Sequence, residues 1–73
     1  MADKNVLVSL DRKNVELDLK KTQAALEAAG LKVVDIMRIS KIICGITDEK
    51  KIPKLKSVTG VTAVEIDQEL TAD

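Results

Sequence analysis

The chain has no phenylalanine, tyrosine, tryptophan or histidine. Without aromatic rings it lacks the stacking platforms that hold single-stranded nucleic acid. Its twelve basic residues are cancelled by twelve acidic ones, so no cationic excess is available for a phosphate backbone. Nucleic acid is not an expected partner. The missing histidine removes the commonest general base and metal ligand. A single cysteine cannot form an internal disulfide. The three glycines lie far apart, so there is no glycine-rich phosphate loop. No apolar run approaches the ~20 residues that span a bilayer. Residues 1–5 lack the apolar core of a secretory signal. The expected location is the cytoplasm, or outside the cell if a signal has been removed, and no membrane partner is expected.

What remains is aliphatic. Hydrophobic residues make up 45% of the 73, enough for a packed core and too many for a disordered chain. This length predicts one small domain over residues 1–73, with 68–73 as a C-terminal tail. Leucine, isoleucine and valine must offset the ordering entropy without aromatic help, so modest stability is expected.

Residues 5–10 alternate as a strand, with Val6, Val8 and Leu10 on one face. After a polar turn, Asn14 is placed to cap a helix over residues 15–29, and Glu16 and Asp18 put negative charge in its first turn. Leu19, Thr22, Leu26 and Ala29 recur at helical spacing, with Ala25 beside them, and Gly30 stands where a helix ends. Residues 31–39 read as a second strand with imperfect alternation, because Val33 and Val34 are adjacent and face opposite sides. After the break at Ser40 and Lys41, residues 42–47 read as a central third strand with Ile42, Cys44 and Ile46 toward the core. Asp48 caps a second helix with Ile52, Leu55 and Val58 as its stripe. Pro53 either distorts that helix's first turn or marks its true start. Gly60 ends it, and residues 61–67 form the fourth strand.

The order βαββαβ predicts an α+β ferredoxin-like sandwich. Four antiparallel strands would lie in the order 4-1-3-2, with both helices on one face. The expected core is Val6, Val8, Leu26, Ile42, Cys44, Ile46, Leu55 and Val64. The uncovered face is expected to carry Leu7, Ser9, Ile43, Gly45, Thr47, Ala63 and Glu65.

No residue set suggests catalysis, a cofactor or a metal. Cys44 reads as a small buried hydrophobe. Lys50, Lys51, Lys54 and Lys56 read as a solvated helix face. Glu65 and Asp67 stand two apart on a strand, so both carboxylates project from one face. A glycosidase pair would need a cleft between them, which one strand of a small sheet does not supply. They can instead meet the positive ends of helices on another protein.

The last thirty residues carry the sharpest signal. Ile46-Thr47-Asp48-Glu49-Lys50 runs from a strand into an Asp-Glu-Lys helix start. Thr59-Gly60-Val61 is a turn, and Val61-Thr62-Ala63-Val64-Glu65-Ile66-Asp67 follows a Val-x-x-Val-Glu-x-Asp strand pattern. In these segments the chain resembles the subtilisin propeptide family, the proteinase inhibitor family nine domains, which includes stand-alone inhibitors of subtilisin-type serine proteases. The resemblance implies a non-enzymatic inhibitor or folding assistant of such a protease. Its open sheet face would pack on two surface helices of the enzyme, with Glu65 and Asp67 capping them. Leu70, Thr71, Ala72 and Asp73 would lie in the substrate cleft, Asp73 nearest the catalytic serine. Asp73 departs from the family's large or apolar last residue. That implies either a protease accepting an acidic side chain or no inhibition of an ordinary subtilisin. The alternative expectation is a regulatory or interaction domain of unknown partner, either monomeric or a homodimer joined through the open face or an edge strand.

Overall fold

The computed structural model describes residues 3–13 and 18–67. Strand β1 is Asp3–Leu10, helix α1 Leu19–Ala28, β2 Lys32–Met37, β3 Ile42–Asp48, α2 Ile52–Lys56 and β4 Val61–Ile66. A 3-10 turn, Glu49–Lys51, leads into α2. The four strands form one antiparallel sheet in the order β2-β3-β1-β4, which counted from the β4 edge is 4-1-3-2. The fold is thus a four-stranded antiparallel sheet with two helices.

Val6, Val8 and Leu10 from β1 are buried with Ile43 from β3, Leu26 from α1, Leu55 from α2 and Leu31 from the α1–β2 turn. One cluster therefore holds both helices against one face of the sheet. Leu19, Ile52, Val58 and Val64 pack around it, half-buried.

Helix α1 starts later than its sequence pattern predicts. Its cap is Asp18, whose carboxylate accepts from the backbone N–H groups of Lys20 and Lys21 at 2.9 and 3.3 Å. Asn14, the expected cap, lies outside the described residues. The far end is as expected. Gly30 has φ +113°, and the N–H groups of Gly30 and Leu31 donate back to Glu27 and Leu26. This closure satisfies two end carbonyls and packs Leu31 against Leu26.

Pro53 has the effect expected of it. Asp48 caps the 3-10 turn by accepting from Lys50 N–H at 3.0 Å, and the α-helix proper begins at Ile52 with the proline in its first turn. The missing N–H of a proline is harmless there.

Strand β3 is inverted relative to the sequence reading. Ile43, Gly45 and Thr47 are buried on the helix side, whereas Ile42, Cys44 and Ile46 are half-buried on the other. Pairing fixes this phase. Directly opposed residues share a face, and Ile43 stands opposite the fully buried Val8, while Cys44 stands opposite Leu7. Gly45 faces the core because Leu31 and the Lys32 carbonyl occupy the space a Cβ would need. Thr47 can be buried because its hydroxyl donates to the Gly30 carbonyl at 3.2 Å.

Candidate functional site

The sheet face turned away from the helices, which no other described element covers, is built in rows set by strand register. The central row runs Asp35, Cys44, Leu7, Glu65 across all four strands. The row toward the β2–β3 turn is Met37, Ile42, Ser9, Ala63, and the row on the opposite side holds Lys32, Ile46 and Asn5. Leu7, Ser9, Ala63 and Glu65 are therefore on this face as the sequence predicts. Ile43, Gly45 and Thr47 are not, and Ile42, Cys44 and Ile46 take their places.

Glu65 and Asp67 are both exposed. Asp67 follows β4 and is tied to the neighbouring strand β1, its N–H donating to the Asn5 carbonyl at 2.7 Å. Asp67, Asn5, Leu7, Val34 and Cys44 line a shallow concavity of about 180 Å³. Leu70, Thr71, Ala72 and Asp73 lie outside the described residues.

Strand β2 contributes what the sequence reading omitted. Two residues, Val33 and Val34, stand opposite Gly45 in a bulge. The adjacent valines are accommodated in this way, Val33 packing against the core and Val34 left 64% exposed beside Cys44. Past the bulge, Asp35 and Met37 also face outward. The only signal for this in the sequence is the broken alternation at Val33-Val34.

Cys44 lies on this open face, half-buried, and not in the core. Burial pushes its thiol above the ordinary cysteine value, and the negative charges of Asp35 and then Asp67 add to the shift. At neutral pH it stays protonated, which makes it a poor nucleophile. Among the described residues no group of three or more acidic or cysteine side chains is placed to hold a metal ion. No helix among them is long and apolar enough to cross a membrane. Lys50, Lys51, Lys54 and Lys56 are exposed on the helix side.

The chain matches no protein-family model and no curated protein.

Proposed function

We propose that the chain is a non-enzymatic, ferredoxin-like docking module that binds a subtilisin-type serine protease in the manner of a propeptide, as its inhibitor or folding assistant. The observation that carries this reading is the uncovered sheet face. Its apolar centre of Leu7, Ile42, Cys44 and Ile46 is bordered along the β4 edge by Glu65 and Asp67. Strand β4 then leads directly into residues 68–73. Face and tail are thus joined on one strand, as two contacts with one enzyme require.

In this reading the face seats on two helices of the protease, and Glu65 and Asp67 meet their N-termini. Each such contact contributes about 0.3–1 kcal/mol. Leu70 to Asp73 add as a strand to the edges of the substrate cleft. Leu70 suits an apolar fourth subsite, and Asp73 stands at the first.

Inhibition of a panel of subtilisin-type proteases tests the reading. Removing residues 70–73 should abolish competitive inhibition. Asp73→Leu should strengthen inhibition of a broad-specificity enzyme, because an acidic group is poorly matched to an apolar first subsite. If neither wild type nor Asp73→Leu inhibits any member at micromolar concentration, the protease reading fails.

A further inference from the structure

The chain is neutral as a whole, yet its two layers carry opposite charge. By register and alternation, Asp3, Asp35, Glu65 and Asp67 stand on the open face with Lys32 as their one cation among the described strand residues. Asp48 is engaged as a helix cap, and Arg38 and Lys41 belong to the turn beyond the strand ends. Among the described residues of the helix side the balance reverses. Lys20, Lys21, Lys50, Lys51, Lys54 and Lys56 are exposed against Asp18, Glu27 and Glu49.

We infer that the open face takes a protein surface of the complementary pattern, an apolar centre ringed by lysine and arginine. This rests on the docking reading above and adds the charge of the partner. Covering the face with a neutral apolar surface would strip water from the carboxylates of Asp35, Glu65 and Asp67 and give nothing back. A basic ring supplies the missing donors while the apolar centre is buried. The carboxylate field already reaches that centre, because Asp35 and Asp67 both disfavour the Cys44 thiolate.

A second copy of the chain is the poorer occupant when stacked face to face in register. Face-to-face pairing about a two-fold parallel to the strands, centred on the Leu7–Cys44 row, sets Asp35 of one copy over Glu65 of the other. A two-fold across the strands sets Asp35 over Asp35. Either arrangement buries like charges. The cationic helix layer opposite gives the molecule a dipole that presents the acidic face first to a basic partner.

Two synthetic amphipathic helices with the same leucine stripe, one flanked by lysine and one by glutamate, provide the probe. Titrated into the isotope-labelled full chain, the lysine peptide should shift the amide resonances of Leu7, Cys44 and Glu65. Its affinity should fall about tenfold as salt rises from about 50 to about 500 mM. The double variant Asp35→Asn, Glu65→Gln should weaken it further with an unchanged spectrum elsewhere. The inference is overturned by any of four results: equal binding of both peptides, binding of neither, shifts on the helix layer, or a face-to-face dimer of the free chain. Protease inhibition is a separate readout. Inhibition that ignores salt and Asp35→Asn removes the basic partner and keeps the protease, whereas lysine-peptide binding without inhibition does the reverse.

Discussion

Ile43 and Cys44 are neighbours in the chain and point to opposite sides of the sheet. Ile43 is fully buried between β1 and the helices, while Cys44 is half-exposed opposite Leu7. Ile43→Ala should therefore cost about 2–5 kcal/mol through lost burial and a cavity. Cys44→Ala should cost about 1 kcal/mol or less. Denaturant midpoints of the two variants read the difference directly, and equal losses would contradict the strand's phase. The Cys44 thiol gives a second measurement. Its ionisation is disfavoured in the folded protein, so the native chain holds its proton to higher pH than the unfolded chain does. This contribution to stability is complete below the unfolded thiol's pKa. It is lost as pH rises from there toward the raised folded value. Alkylation by iodoacetamide should accordingly need higher pH in the native protein than in denaturant. Matching pH profiles would remove the shift.

At the scale of elements, the decisive feature is the junction of β2 and β3. Gly45 faces the core where Leu31 and the Lys32 backbone close in, and a Cβ there would stand 2.5 Å from the Lys32 carbonyl oxygen. The obstacle is backbone, which cannot swing aside as a side chain can. Gly45→Ala should destabilise by about 1–3 kcal/mol through overpacking, measurable as a lower unfolding midpoint. A neutral result would mean that the bulge at Val33-Val34 yields. The bulge matters for the site because it turns Val34 outward beside Cys44 and sets Asp35 in the central row. A comparable device lies on the other edge. Thr62 is the extra residue between Val61 and Ala63, and its hydroxyl donates to the Ser9 carbonyl at 3.1 Å. The bulges thus lie in the two edge strands, while the β1–β3 pairing is regular.

For the whole molecule, the largest fully buried side chains among the described residues are Val6, Val8, Leu10, Leu26, Ile43 and Leu55, all aliphatic and drawn from β1, β3 and both helices. None of them lies beyond Leu55, and β4 ends at Ile66. Removing residues 70–73 should therefore leave the thermal midpoint within about 0.5 kcal/mol equivalent of wild type. A large drop would show that the tail supports the fold, and would recast the loss of inhibition expected of the same truncation as a folding defect. The molecule is polarised although neutral, so its association rates should depend on salt where its stability scarcely does.

The sequence by itself determined which elements form and in what order. Alternation at Val6, Val8 and Leu10, the Leu26 stripe, the Gly30 and Gly60 stops and the Pro53 helix start are local signals, and each is legible in a few residues. Glu65 on the open face was legible too, because strand alternation fixes its side relative to Val64. The phase of β3 was not legible. Ile42-Ile43-Cys44-Gly45-Ile46-Thr47 has apolar residues in both registers, and counting hydrophobicity favours the wrong one. Tertiary structure decided it through contacts distant in sequence: Val8 against Ile43, Leu31 filling the space over Gly45, and the Thr47 hydroxyl closing on Gly30. A glycine and a threonine belong in a core only when a neighbour fills the gap or accepts the hydrogen bond. The neighbours that do so here come from β1 and the α1–β2 turn, and only folding brings them to β3.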